Sequence, residues 1–236
     1  MKILAIDTSG QQAAAAIVSE HITVGEIFLN ARTGEKSWSH SEILMPGIDR
    51  LFSLTGVSLS DIDVLAYTCG PGSFTGLRIG AATALGMARA LNLPAVPVPT
   101  LDALAYNAAG LHRGGLVVPM LDARRGQIYT AVYECREDGK PERRTDYMAL
   151  HADEFLCYPY LQGSNIIFLG DGADANAEII RRKLPFAIFA LPNDNRQRAA
   201  SVGIWAAEKI KDGYEFPEDV DIIYVRAPQA VREKLL

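Results

Sequence analysis

The chain has 236 residues, with 23 Lys and Arg against 28 Asp and Glu for a formal charge of −5. Hydrophobic residues at 49% and charged residues at 22% are the mix of a chain that builds a real core, which excludes wholesale disorder, and the acidic balance excludes a stand-alone nucleic-acid binder with a basic face. Three cysteines (Cys69, Cys135, Cys157) with no CxxC pair exclude a zinc ribbon or a disulfide scaffold, and four histidines with no HxxH or HxxxH spacing exclude a helical histidine-pair metal site.

In chain order, Ile3-Leu4-Ala5-Ile6 is a strand-length apolar run that stops at Asp7. It is too short for a signal peptide or a membrane span. No later stretch reaches spanning length, so a cytoplasmic location without a membrane partner is expected. Thr8-Ser9-Gly10-Gln11-Gln12 is turn-like, and 13–19 and 22–30 read as two more strands. Ser39-His40-Ser41-Glu42 fits a capping box opening a helix with Leu44, Ile48, Leu51 and Thr55 at helical spacing. Pro46-Gly47 interrupt that stripe, so a kinked helix is expected.

A one-turn helix within 58–63 precedes a buried strand at Val64–Thr68. Cys69-Gly70-Pro71-Gly72-Ser73-Phe74-Thr75-Gly76 is a tight loop entering a helix that runs to about residue 92. Gly76, Gly80, Ala84 and Ala88 recur every fourth residue, a face almost without side chains that lets another element pack close. Pro94, Pro97 and Pro99 mark a connection and a composition boundary near residue 100. Beyond it, helices are expected at 101–109, 176–183 and 198–211, with strands at 116–121, 127–135, 166–169 and 186–191. The alternation implies two α/β lobes, 1–100 and a smaller 101–213, with the segment 214–236 packing back on the first.

Four segments are candidates for chemistry. Asp7-Thr8-Ser9 can hold a cation and phosphate oxygens, or can be a polar turn capped by its own side chains. Gly70-Pro71-Gly72-Ser73, with Arg78 beyond it, precedes a helix as anion-binding loops do, but Gly76 is followed by Leu77-Arg78, so it is not a P-loop, and a structural loop capped by Ser73 or Thr75 is the favoured reading of these residues. Asp122-Ala123-Arg124-Arg125-Gly126 offers two arginines at a hairpin tip, for a phosphate, a partner carboxylate or solvent. Gly170-Asp171-Gly172 is a fourth candidate or a plain strand-to-helix turn. The cysteines read as ordinary thiols without an activating neighbourhood, and Trp38 and Trp205 as packing residues. Arg181-Arg182-Lys183, Arg196 and Arg198 are local cations that can meet phosphates or lie solvated at helix ends.

Ile3-Leu4-Ala5-Ile6-Asp7-Thr8-Ser9, the run Gly70 to Gly80 (GPGSFTGLRIG) and Leu121-Asp122-Ala123-Arg124-Arg125-Gly126-Gln127-Ile128-Tyr129 together resemble the TsaB (YeaZ) family. His40-Ser41-Glu42-Ile43-Leu44, Gly170-Asp171-Gly172 and Tyr224-Val225-Arg226 follow in the family's order, and the resemblance covers nearly the whole chain. It implies an α/β fold of the actin, Hsp70 and sugar-kinase type with two lobes, the second shortened. It also implies a non-catalytic subunit of a tRNA threonylcarbamoyladenosine-modifying complex. The implied partners are TsaD, the ATPase TsaE, a second copy of the chain in isolation, and tRNA indirectly.

On this resemblance Asp7, Thr8 and Ser9 form a vestigial phosphate hairpin. No cofactor is bound by the chain alone, and ATP is possible at a shared site in the complex. The two arginines at 124 and 125 replace the glycine-rich acidic pattern of a working second hairpin. A helical partner interface is placed on roughly 40–54 and 75–91, with His40, Ile43, Leu44, Ile48, Leu51, Gly76, Gly80, Thr83, Ala84 and Met87 as its residues. A small kinase of the same fold and a glycoprotease-like peptidase are the alternatives.

Overall fold

The computed structural model describes residues 1–236 apart from 21, 31, 34, 35, 111, 164, 216–221 and 226–236. His21, Arg226 and most of the segment 214–236 lie outside the described residues. The chain divides into two compact units, Met1–Ala103 with Gln197–Ile223, and one built on Leu104–Arg196.

The first unit opens with β1 (Lys2–Asp7), β2 (Gln12–Ser19) and β3 (Ile22–Asn30). β2 is antiparallel to both neighbours and buried from Gln12 to Val18, which is why its Ala-rich sequence shows no polar alternation. A small hairpin, β4 (Arg32–Thr33) with β5 (Lys36–Ser37), leads to α1 (His40–Thr55). The capping box forms as expected, with the Glu42 carboxylate accepting the Ser39 N–H at 2.6 Å and the Ser39 hydroxyl at 2.8 Å. α1 runs as one element through Pro46, because Leu44 before it and Ile48 and Leu51 after it anchor in the same core. Gly56, at φ 67°, ends it with its N–H on the Phe52 carbonyl.

β6 (Val64–Gly70) lies parallel to β1 and reaches Gly70, further than the sequence suggested. α2 (Phe74–Leu91) follows. β7 (Ala95–Pro99) then pairs parallel with β6, where the prolines had implied only a connection. The strand order is β3-β2-β1-β6-β7, so β7 is an edge, the place where a strand tolerates residues without an N–H. The unit boundary falls inside α3 (Thr100–Ala109).

In the second unit β8 (Leu116–Asp122) is central. β9 (Gln127–Thr130) and β10 (Tyr133–Cys135) both run antiparallel to it, so the single strand expected over 127–135 is broken at Ala131-Val132. β11 (Pro141–Arg143) pairs with β10, and β12 (Met148–His151) with β9. After α4 (Ala152–Phe155), β13 (Ile166–Leu169) lies parallel to β8. α5 (Asp171–Ala175) and α6 (Ala177–Lys183) precede β14 (Ile188–Phe189), all the strand that forms within 186–191. The order is β11-β10-β8-β13-β14, over a core of residues such as Val118, Phe155, Phe168 and Ile180.

The chain then returns to the first unit as α7 (Ala199–Lys211). By its position in the sequence this helix falls in the second lobe, 101–213. It packs instead on β1 and β2, and a Cβ on Gly203 would sit 2.6 Å from the Val18 side chain and 3.3 Å from Ala5. Leu4, Ile6, Ile17 and Leu65 point the other way, into the cluster with α1 and α2, so helices cover both faces of this sheet. Glu26 holds the start of α7, accepting Arg198 at 2.6 and 3.1 Å and the Ala200 N–H at 3.0 Å. Each unit has antiparallel strands on one side of its leading strand and parallel strands on the other. This is the two-lobed actin-like α/β plan expected from the sequence.

Candidate functional site

The first hairpin is closed on itself. Asp7 is 3% exposed, and its Oδ1 accepts the Ser9 N–H at 2.9 Å, the Ser9 hydroxyl at 2.6 Å and the Thr68 hydroxyl at 3.2 Å. Burial pushes the Asp7 carboxyl above the usual range, and the Ser9 and Thr68 hydrogen bonds oppose the rise. The Thr8 hydroxyl donates to the Gly76 carbonyl at 2.7 Å, and the Ser9 carbonyl accepts the Ser73 N–H at 2.7 Å. Asp7 Oδ1, one of the two carboxylate oxygens, and the Thr8 and Ser9 hydroxyls are therefore engaged inside the unit.

The glycine-rich run makes that closure. A Cβ on Gly72 would lie 2.6 Å from the Ser9 carbonyl oxygen, and Cβ atoms on Gly76 and Gly80 would overlap the Thr8 carbonyl oxygen and the Thr8 hydroxyl. Only glycine lets α2 rest its backbone on Thr8 and Ser9. Ser73 caps α2 by accepting the Gly76 N–H at 3.3 Å. Gly70 at φ 111° and Pro71 are buried, and the Ile223 N–H donates to the Cys69 carbonyl at 2.7 Å beside them. Arg78 is exposed and lies over the Phe74 ring at 3.9 Å. In this unit the run seats the start of α2 on the first hairpin, with Ser73 as its cap.

The helical face expected to meet a partner needs correction. Leu44, Ile48 and Leu51 of α1 and Gly76, Gly80 and Ala84 of α2 are buried in their own unit, facing β1, β2 and β6. The every-fourth-residue pattern reported packing against Thr8, not an outward face. His40, Ile43, Thr83 and Met87 are half-buried and remain at the surface. The exposed small and apolar positions on these helices are others, Met45 and Leu54 on α1 (48% and 66% exposed) and Ala82 and Gly86 on α2. Their signal was a second register of α2, Ala82 and Gly86, offset from the buried one.

In the second unit the tip Arg124-Arg125-Gly126 holds three successive left-handed residues, at φ 66°, 56° and 74°. Asp122 supports it by accepting the Arg124 N–H at 2.8 Å, and His151 Nδ1 lies 3.1 Å from the Gly126 carbonyl. The Asp122–Arg124 ion pair at 3.4 Å is exposed and contributes little. The Asp171 carboxylate accepts the Asp122 N–H at 3.0 Å, and burial first, then the Asp122 charge, raises its carboxyl against the hydrogen bonds. A Cβ on Gly172 would lie 2.7 Å from the Leu121 carbonyl carbon, so Gly170-Asp171-Gly172 serves to seat α5 on β8.

Among the described residues no group of three or more His, Cys, Asp or Glu is placed to hold a metal ion. Burial pushes the Cys69 thiol up to about 12 and raises that of Cys135. Cys157 is exposed and does have a cation beside it, since the fold brings Lys183 Nζ to 3.3 Å from its sulfur. Trp205 packs at 7% exposure, whereas Trp38 is 39% exposed. No described helix is long and apolar enough to cross a membrane.

Residues 34–207 match a family model described as TsaD, tRNA N6-adenosine threonylcarbamoyltransferase. The tRNA threonylcarbamoyladenosine biosynthesis protein TsaB of Haemophilus influenzae is 31% identical over 205 residues, covering 82% of this chain and 81% of that one. The Bacillus subtilis protein of the same name is 32% identical over 180 residues, covering 76% and 75%. The solved structure of YeaZ from Pseudomonas aeruginosa superposes with a TM-score of 0.75 at 24% identity, covering 94% of this chain and 99% of that one, a likeness of fold.

Proposed function

The chain belongs to the TsaB (YeaZ) family of tRNA threonylcarbamoyladenosine biosynthesis proteins, and from that premise we propose that it is a non-catalytic subunit that binds and stabilises TsaD. In this reading TsaD transfers the threonylcarbamoyl group to the tRNA adenosine beside the anticodon. TsaE joins the pair, and any ATP occupies a site shared within the complex. The single observation that carries the proposal is the closed first hairpin. Asp7 Oδ1, the Thr8 hydroxyl and the Ser9 hydroxyl all hydrogen-bond within the unit. That arrangement argues against the kinase of the same fold, which needs these groups free for metal and phosphate.

The docking surface in this proposal is the exposed side of α1 and α2, with Met45, Ala82, Gly86 and the half-buried Ile43, Thr83 and Met87. Small residues there allow a partner helix to approach closely. The same surface serves a second copy of the chain when TsaD is absent. Light scattering on the purified chain, with TsaD titrated in, tests both statements. A 1:1 heteromer is expected to form as the homodimer is lost, and no heteromer at any ratio refutes the proposal.

A further inference from the structure

Cys157 and Lys183 are 26 positions apart in the chain and meet through their side chains, with the Lys183 Nζ 3.3 Å from the Cys157 sulfur. The core of the second unit pins both ends of this contact. Phe155 and Leu156, just before Cys157, and Ile180 and Leu184, on either side of Lys183 in the chain, are buried in one cluster. The Asp153 backbone carbonyl accepts hydrogen bonds from both partners, from Lys183 Nζ at 2.8 Å and from the Cys157 thiol at 3.2 Å. The Asp153 carboxylate lies 2.9 Å from the same Nζ. The Cys157 sulfur is exposed, so a soluble oxidant reaches it, whereas Cys69 and Cys135 are buried. A thiol oxidised to a sulfenic acid is electrophilic at sulfur and condenses with a nucleophile in reach, a thiol or a nitrogen. Here the group in reach is a primary amine, held against the sulfur by the fold.

We propose that Cys157 and Lys183 are a peroxide-responsive pair that closes into a covalent sulfur–nitrogen cross-link. Hydrogen peroxide is the oxidant. The sulfur attacks one peroxide oxygen and the O–O bond breaks, so that the thiol and the peroxide give a sulfenic acid and water. Sulfur loses two electrons and the peroxide gains them. The lysine then sheds its ammonium proton to solvent, and its lone pair attacks the sulfur. The S–N bond forms, the S–O bond breaks, and a second water leaves. A dithiol reverses the cross-link, becoming a disulfide as thiol and amine are restored. Hydrogen bonds to Asp153 and Cys157 hold the Lys183 ammonium above its ordinary range, so the free amine is scarce and the second step is the slow one. The cross-link closes the segment 157–183, which carries β13 and α5, and a closed segment has fewer unfolded conformations to lose. Oxidation therefore stabilises the second unit.

The test is intact-mass spectrometry with peptide mapping on the full-length chain, before and after hydrogen peroxide. A species about 2 Da lighter is expected, for the two hydrogens lost, with the bond mapped to Cys157 and Lys183 and the original mass restored by dithiothreitol. Lys183→Arg keeps a cation beside Asp153 without the amine, and is expected to gain about 16 or 32 Da of oxygen at Cys157 instead. Cys157→Ser is expected to lose no hydrogens. The oxidised parent melts at a higher temperature than the reduced parent, and the oxidised Lys183→Arg chain does not. Oxygen gained at Cys157 with Lys183 unmodified in the parent would overturn the proposal. A loss of two hydrogens that survives Lys183→Arg would also overturn it and assign the change to a disulfide.

Discussion

Thr8 and Gly76 hold each other: the Thr8 hydroxyl donates to the Gly76 carbonyl at 2.7 Å, while a Cβ on Gly76 would overlap the Thr8 carbonyl oxygen. The first hairpin and the start of α2 are thereby one packed object.

Two glycines of α2 should respond to alanine in opposite directions. Gly76→Ala forces backbone against backbone, which no rotamer relieves, and is expected to cost about 2–3 kcal/mol despite the better helix former. A Cβ on Gly86 meets nothing within 4 Å, so Gly86→Ala should stabilise the isolated chain by about 0.5–1 kcal/mol. Urea midpoints measured side by side decide both, and a stable Gly76→Ala protein would show that the hairpin contact is loose.

Tyr67 is completely buried in the core under α1 and α2, and its hydroxyl has no hydrogen-bond partner among the described residues. A desolvated, unpaired hydroxyl costs about 1–3 kcal/mol, so Tyr67→Phe should raise stability by about 1 kcal/mol after allowing for the small void. A thermal melt of the two proteins checks this. A fall in melting temperature would mean that the hydroxyl finds a partner in solution.

Asp7 gives the pH dependence its sign. Its carboxyl is raised in the folded state above the ordinary 3.8, mainly by burial, so the folded state keeps the proton longer than the unfolded one. Asp7 therefore favours folding at low pH, and that contribution is lost as pH rises from the unfolded value through the folded one. Asp7→Asn keeps an acceptor for Ser9 and Thr68 without the charge. It should raise the urea midpoint at pH 7 more than at pH 4 and leave TsaD binding intact. Loss of TsaD binding in the folded variant would give the carboxylate a role that its geometry does not suggest.

The outward and inward registers of α2 separate association from folding. Ala82→Arg or Gly86→Arg should weaken the heteromer at least about tenfold with an unchanged melt, as a large charge enters a close-packed helical contact. Ala84→Arg should fail to fold, because Ala84 is fully buried and the charge would have no partner. Wild-type heteromer formation by the Ala82 and Gly86 variants would move the interface elsewhere.

Much of the first unit is legible in the sequence. Capping chemistry at Ser39 and Glu42 and apolar runs at β1 and β6 are local signals, and local signals survive in sequence. β7 was hidden by its prolines, and β14 shrank to Ile188–Phe189, because strand identity depends on which neighbour supplies the hydrogen bonds. Helix α7 is legible in the sequence as a helix, but its unit is not, since nothing local records that Gly203 meets Val18.

The sequence by itself determined the family, the two-lobed plan and the glycine-rich entry to α2, because residue types at fixed spacing carry those features. It also left the use of that pattern undecided. A stripe of Gly76, Gly80 and Ala84 means close approach, but periodicity states only that a face is bare, not what lies against it. The tertiary structure decided that Thr8 and β1 lie against it, which moved six expected interface residues into the core and left Ala82 and Gly86 outside. The same holds for Lys183 at Cys157 and Phe189 under Arg181. Contacts between residues distant in the chain are set by the fold as a whole, and side-chain spacing does not encode them.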